Sequence, residues 1–191
     1  MKIVRFFFDT YKNHWLATPI AAVAAIVSTT LAALILASIS TITYEILSKS
    51  QAILLHAILG PMFAYIFYLS VYYGGMFLKE KRSLYNNEKL DKAKFKNWLR
   101  VVKYDYIAHL PSDCYLITLA AIMQAGLETS GVHIFFAVLI SQFVDDFITF
   151  LKEPALWGGA KALVSWEDKR GKTLTGKLVS KEAIWGSGRE A

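Results

Sequence analysis

The chain has little of what a soluble or disulfide-bonded protein needs. It contains one cysteine, Cys114, among 191 residues, which excludes an intramolecular disulfide and a metal site built from several thiolates. Only 19% of its side chains are charged, whereas 55% are hydrophobic, which is too apolar for an ordinary soluble domain. We therefore interpret the chain as a membrane protein. Its length leaves room for one bundle of a few spans and for no second sizeable domain.

Several catalytic patterns are also missing. No two histidines are spaced i, i+4, as a zinc or di-iron membrane enzyme would require, because the four are widely scattered: His14, His56, His109 and His133. The sequence has no GxSxG elbow and no glycine-rich phosphate loop. We predict no cofactor and no resident metal, although a carboxylate cluster with one histidine could hold a divalent cation.

Four apolar stretches are long enough to cross the membrane, whose hydrocarbon core of about 30 Å needs about 20 helical residues. We predict an all-α, polytopic membrane protein with four transmembrane helices in residues 1–151. The spans lie near residues 15–38, 52–78, 106–125 and 132–151. Residues 152–191, which contain glycines, tryptophans and eight basic residues, are predicted to form a cytoplasmic surface tail.

The basic residues predict the orientation of the chain. Three precede Trp15, nine lie in the loop Lys79–Lys103 and eight follow Leu151, whereas the other two loops contain only Lys49. Because cytoplasmic segments accumulate lysine and arginine, we predict a multi-pass protein of the inner or plasma membrane with both termini in the cytoplasm. The net charge of +6 then indicates anionic lipids, bound by the Lys79–Lys103 loop and the C-terminal tail, and no nucleic-acid partner.

Ionisable residues within spans three and four form the candidate site, because such groups are costly in a membrane and usually face a cavity or a partner. Asp105, His109 and Asp113 share one face of span three, since they are spaced i, i+4 and i+8. At 1.5 Å per residue, Asp113 and Asp145 both lie about 10 Å from the cytoplasmic boundary, so we predict that they meet. With Asp146, these residues would bind protons or a substrate. Helix capping is the alternative for Asp105, and an interfacial position or a nearby lysine is the alternative for Asp145 or Asp146.

Two prolines and three tyrosines complete the candidate site. Pro61 and Pro111 lie inside spans two and three, where we expect them to break the helices, because proline removes a backbone donor. Tyr68, Tyr72 and Tyr115 are candidates for lining a cavity. Kinks that serve packing, and hydrogen bonds between helices, are the structural alternatives.

Several short motifs resemble those of the small bacterial L-alanine exporters. They are Asp9-Thr10 before span one, Glu45 after it, Pro61 and Tyr73-Gly74 in span two, and Asp105-Tyr106-Ile107-Ala108 with Pro111 and Tyr115 in span three. The resemblance covers the spans but not the C-terminal tail. It implies a four-span inner-membrane protein that exports alanine by using the proton gradient. The longer middle loop and the added tail depart from the family pattern. They affect what the resemblance implies about the substrate more than what it implies about the four-span layout.

Three functions remain open at this stage. The first is proton-coupled export of a small amino acid such as alanine, by a homo-oligomer, since four spans enclose little volume. The second is an accessory or scaffold subunit of a membrane complex, in which the polar residues hold helices together. The third is a membrane-bound lipid-modifying enzyme, in which the carboxylates act as acids, bases or metal ligands that face the headgroups.

Overall fold

The computed structural model describes the backbone of residues 2–86 and 89–186, and the side chains of residue 5 and of residues 8–85 and 89–170. Its elements, in chain order, are α1 (Lys2–His14), α2 (Ala17–Ile46), α3 (Lys49–Leu84), β1 (Tyr85–Asn86), β2 (Lys89–Leu90), α4 (Lys92–Thr129) and α5 (Ile134–Gly186). Among the described residues, α2, α3, α4 and the Ile134–Arg170 part of α5 are long and apolar enough to cross a membrane. The prediction of an all-α bundle with four spans is confirmed.

The four long helices form an up-and-down bundle. Helix α2 packs against α3 and α5, and α4 packs against α5 and α3, so each long helix has two neighbours. The short connections after α2 and α4 lie at one end, which we call the turn end. The other end carries an antiparallel hairpin in which Tyr85 pairs with Leu90 and Asn86 pairs with Lys89, and we call it the hairpin end.

The bundle is apolar on its outside and partly polar inside. Large outward side chains such as Ile26, Ile122 and Phe143 are about two-thirds exposed (67%, 66% and 70%), which suits a surface that faces lipid. Small residues of α2, including Ala21 and Ala24, are fully buried and let the neighbouring helices approach closely. The buried face also carries histidines, carboxylates and amides, which lipid could not solvate.

Local signals in the sequence explain where the helices begin and end. The Asp91 carboxylate caps α4 by accepting hydrogen bonds from the backbone N–H groups of Ala93 and Lys94 at 3.0 and 3.1 Å. The turn after α4 contains Gly131 with φ = 88°, a left-handed conformation that glycine adopts without strain. The next residue, Val132, donates its N–H to the carbonyl of Leu127 and so closes the helix end.

Each of the four long helices continues past the end of the span predicted for it. Helix α2 ends at Ile46 rather than near residue 38, because the serines and threonines that follow residue 37 remain helical. The hydroxyls of Ser38 and Ser40 donate hydrogen bonds to the carbonyls of Leu34 and Ala37 at 2.8 Å, so these side chains satisfy their own polar groups within the helix. The loop expected over Lys79–Lys103 consists of the last turns of α3, the hairpin and the first turns of α4.

The segment expected to be a surface tail begins as part of the bundle. Helix α5 continues without interruption past residue 151 to Gly186. Glu153 and Trp157 are fully buried, and Gly158 lies so close to α1 that an added Cβ would be 2.1 Å from Cγ2 of Thr10. Hydropathy alone placed the boundary too early, because the first charged residues after 151, Lys152 and Glu153, have partners inside the bundle. Residues 187–191 of the expected tail, and the side chains after residue 170, lie outside the described residues.

The two predicted helix breaks are wrong. Pro61 lies inside an uninterrupted α3 and Pro111 inside an uninterrupted α4. A proline removes only one helical hydrogen bond, and the bonds on either side of it preserve the helix. In α4 the hydroxyl of Ser112, next to the proline, also donates to the carbonyl of His109 at 2.9 Å.

Candidate functional site

Two ion pairs join α4 to α5 inside the bundle. Nζ of Lys152 lies 2.7 Å from Oδ1 of Asp113, and Nε2 of His109 lies 2.7 Å from Oε1 of Glu153. Lys152 and Glu153 are consecutive on α5, whereas His109 and Asp113 are one turn apart on α4, so the two contacts fix one register between the helices. Lys152 also donates to the hydroxyl of Ser112 at 2.8 Å.

The His109 cluster consists of Asp105, His109 and Glu153 with Tyr68 and Tyr73. The three ionisable side chains are at most 4% exposed. From α3, the Tyr68 hydroxyl donates to Glu153 at 2.6 Å and the Tyr73 hydroxyl donates to Asp105 at 3.1 Å. The cluster therefore connects three helices through groups that lipid could not solvate.

The hydrogen bonds of His109 indicate a bound proton. Its Nδ1 lies 2.8 Å from the backbone carbonyl of Asp105, and its Nε2 lies 2.7 Å from the Glu153 carboxylate. Because a carbonyl oxygen can only accept, Nδ1 must carry a hydrogen. The contact with Glu153 then needs a second proton, either on Nε2 or on the carboxylate. The His109–Glu153 pair therefore holds two protons on its ring nitrogens and carboxylate, whereas a neutral imidazole beside an ionised carboxylate would hold one.

The same three ionisable residues offer the ligands of a divalent cation. One donor atom each from Asp105, His109 and Glu153 lies within 4.8 Å of the others. One oxygen of each carboxylate, Oδ1 of Asp105 and Oε2 of Glu153, has no hydrogen-bond partner among the described residues. The bond from Nδ1 to a backbone carbonyl is the support that metal-bound histidines usually have. One nitrogen and two carboxylates suit several divalent metals and select none of them.

A small acidic cavity lies beside the His109 cluster, towards the turn end. Asp113, Asp145 and Asp146 line it together with Tyr68, which also contacts the cluster. The cavity has a volume of about 20 Å³, room for roughly one water molecule. Asp146 accepts a hydrogen bond from Thr29 of α2 at 3.0 Å. The cavity is therefore enclosed by all four long helices and has three carboxylates against the single nearby ammonium group of the α4–α5 ion pair.

A second buried polar group, the His56 cluster, lies near the turn end. Glu128 accepts hydrogen bonds from Tyr44 at 3.1 Å and from Gln124 at 3.0 Å, and it lies 3.0 Å from Nδ1 of His56. The other ring nitrogen of His56 lies 2.6 Å from the Thr43 hydroxyl. His56 and Gln124 are fully buried and Glu128 is 4% exposed. This cluster connects α2, α3 and α4.

An apolar layer separates the acidic cavity from the His56 cluster. On α4, the buried residues between Asp113 and Gln124 include Leu116 and Ala120, over a distance of about 16 Å along the helix axis. Facing helices contribute further buried apolar residues at this level: Ala32, Ala33, Leu36 and Val138. Two buried polar residues of α5, Ser141 and Gln142, lie between Val138 and the carboxylates of the cavity. The described residues thus place two polar regions at different depths, and no hydrogen bond among them joins the two.

The predicted stripe on α4 lies where the spacing placed it. Asp105, His109 and Asp113 are all buried on one face of the helix. Asp145 and Asp146 line the same cavity as Asp113, so the structure brings these carboxylates together. Two lysines, Lys152 and Lys103, were considered as partners for the α5 carboxylates, and Lys152 instead pairs with Asp113.

The tyrosine predictions have three different outcomes. Tyr68 lines the acidic cavity, as expected. Tyr72 is buried one turn away and does not line it; its ring packs against Tyr68 and Trp157. Tyr115 is 68% exposed on the outer surface, so its assignment to the cavity is wrong. Two residues correspond to about 200° of helical rotation, which places Tyr115 opposite Asp113.

Sequence reasoning missed three residues of these polar regions. Glu153 fell beyond the predicted end of span four, although Asp145, Thr149 and Glu153 are spaced i, i+4 and i+8 and continue its buried face. His56 was expected near the outer boundary with no special role, and Glu128 fell in the predicted turn between spans three and four. Ala120, Gln124 and Glu128 are also spaced i, i+4 and i+8 on one buried face of α4. This spacing was the sequence signal that could have indicated the second cluster.

Comparison with known proteins finds no matching family model, no matching curated protein and no matching solved structure.

The Asp113–Lys152 pair yields a stability prediction. We expect Lys152→Gln to lower the free energy of unfolding by about 3–5 kcal/mol, because it leaves the buried Asp113 carboxylate without its cation. Asp113→Asn should lower it by less, because the Lys152 side chain is partly exposed. The double variant should lose less than the sum, because it removes both charges. Titration of the protein from bicelles with sodium dodecyl sulfate measures these free energies.

A matched cycle on an exposed pair is the control. Lys94 and Asp91 lie 3.8 Å apart with side chains 55% and 28% exposed, so Lys94→Gln and Asp91→Asn should show a coupling below about 1 kcal/mol. Additive losses in the Asp113–Lys152 cycle would mean that the two side chains do not form a stabilising pair.

Proposed function

We propose that this integral membrane protein is a proton-coupled transporter that exports a small amino acid such as alanine. The observation that carries the proposal is the polar line from the His109 cluster through Tyr68 to the acidic cavity. Ionisable groups buried in a membrane bundle usually serve protons, ions or substrates, because pairing them only for stability brings little net gain.

The distribution of charge suits a cationic group and a proton. Asp113, Asp145 and Asp146 surround the cavity, and one of them is neutralised by Lys152. The remaining carboxylates attract either a proton or the ammonium group of an amino acid. The proton on the His109–Glu153 pair lies next to this cavity, because Tyr68 belongs to both. Protonation of the cluster and occupancy of the cavity can therefore influence each other through a shared side chain.

The apolar layer supports a carrier rather than an open channel. Buried apolar residues such as Leu116, Ala120 and Val138 lie between the acidic cavity and the turn end, and the cavity has room for about one water. Alanine would enter only after the helices separate around the cavity. A protein that opens to one side at a time needs such a closed section between its two polar regions.

The resemblance to the L-alanine exporters supports the choice of substrate. Two of the residues that carry it, Tyr73 and Asp105, form a hydrogen bond at 3.1 Å within the His109 cluster, and Pro111 lies two residues before Asp113. Lipid access, which a lipid-modifying enzyme would need, is poor at this cluster, because Asp105 and Glu153 are fully buried and His109 is 3% exposed.

Efflux of labelled alanine from proteoliposomes tests the proposal. In the wild type, an acidic exterior should accelerate efflux, because inward proton movement drives outward alanine movement. Glu153→Gln preserves the side-chain volume but removes the carboxylate that shares the proton, and Asp113→Asn removes a carboxylate of the cavity. We expect both variants to lose the acceleration by the pH gradient.

The matched control is Asp91→Asn, which also exchanges a carboxylate for an amide but lies outside the bundle and preserves the helix cap. It should transport as the wild type does. Wild-type efflux equal to that of protein-free vesicles would contradict alanine transport. Undiminished acceleration in folded Glu153→Gln and Asp113→Asn would contradict the roles of these residues.

We further propose that the protein lies in the inner or plasma membrane with both termini in the cytoplasm. The 20 basic residues other than Lys49 precede Trp15, lie in 79–103 or follow Leu151, and the described part of these segments belongs to the hairpin end. In a Cys114→Ser background, a membrane-impermeant maleimide should label Ser130→Cys in intact cells and Lys89→Cys only after lysis. The reverse labelling would contradict this orientation.

A further inference from the structure

A wide groove lies at the hairpin end, away from the polar line. It has a volume of about 760 Å³ and lies between the last turns of α3, the first turns of α4 and the part of α5 beyond residue 160. The two basic segments that the sequence separates, 79–103 and 152–170, thus form the walls of one site.

The groove has an excess of positive charge. Four basic side chains line it: Arg82, Lys94, Lys161 and Lys169. Its two carboxylates are already engaged, because Glu80 pairs with Lys161 and Asp168 pairs with Arg100. Lys94 lies 3.8 Å from Asp91 in a largely exposed pair, which a stronger ligand can replace. A ligand in the groove therefore meets cations at its rim and no unpaired carboxylate among the described lining residues.

The floor of the groove is apolar. Leu84, Trp98, Val101 and Val164 line it and are each at most 9% exposed. Cations around an apolar floor suit a ligand that combines a negative headgroup with hydrocarbon, and they suit a fully hydrated ion less well.

The depth of the groove matches the headgroup region. Val101 lies 28 residues before Thr129, the last residue of α4 at the turn end, which corresponds to about 42 Å along the helix axis. A bilayer with its headgroup regions is about 40–45 Å thick, of which about 30 Å is hydrocarbon. With the turn end at one surface, Val101 and the apolar floor lie at the level of the headgroups of the other leaflet. Lys94 is seven residues nearer the start of α4 and lies about 10 Å further out, at the aqueous edge of those headgroups.

We propose that this groove binds the phosphate of an anionic phospholipid headgroup. Arg82 and Lys94 contact the phosphate, and the apolar floor receives the adjoining part of the lipid. The site is separate from the polar line, so binding can be tested whether or not the protein transports alanine.

Native mass spectrometry of the purified full-length protein measures the binding. Phosphatidylglycerol should bind, whereas phosphatidylcholine, whose headgroup has no net charge, should bind much more weakly. Arg82→Gln/Lys94→Gln should weaken phosphatidylglycerol binding roughly 25-fold, or about fivefold for each charge removed. Arg82→Lys preserves the charge and should retain most of the affinity.

Lys89→Gln/Lys96→Gln is the matched control, because it removes two exposed charges of the same end that do not line the groove. It should leave the affinity nearly unchanged. An equal loss in both double variants would mean that binding is spread over the surface, and equal binding of the two lipids would remove the role of charge. If free glycerol phosphate competes for the groove as effectively as the lipid does, the ligand is a soluble phosphate compound instead. Each of these three outcomes overturns the proposal.

Discussion

The need to pair charges inside an apolar bundle is the constraint on which the rest of this structure depends. An unpaired charge in hydrocarbon costs several kcal/mol, so His109, Asp113, Lys152 and Glu153 must meet one another across α4 and α5. Because the two α5 residues are consecutive, one helix register satisfies both pairs. This register carries α5 past residue 151 and explains why the following segment remains part of the bundle.

The general architecture could be predicted because hydropathy and helical spacing depend on local sequence. Four apolar stretches predicted four helices, and the i, i+4 spacing placed Asp105, His109 and Asp113 on one buried face. These predictions need no knowledge of partners. The positions of the basic residues predict the orientation by an equally local rule.

The rest of the site depends on contacts between distant parts of the chain. Glu153 appeared to belong to a charged tail, and its burial depends on two partners from other helices, His109 of α4 and Tyr68 of α3. His56 and Glu128 are 72 residues apart and are meaningful only as a pair. Tyr115 was misplaced for a simpler reason, since being near Asp113 in sequence does not mean lying on the same helix face.

The proposal of a proton-coupled carrier rests on the buried His109 cluster, the acidic cavity beside it and the buried apolar residues between the cavity and the turn end. The coupling of protons to solute is the central claim, and the pH inside proteoliposomes tests it most directly. Vesicles loaded with alanine and a trapped pH-sensitive dye are diluted into alanine-free buffer at the same pH. The account predicts that the interior becomes more acidic as alanine leaves, because protons enter in exchange. Alanine efflux without a change in internal pH would contradict it.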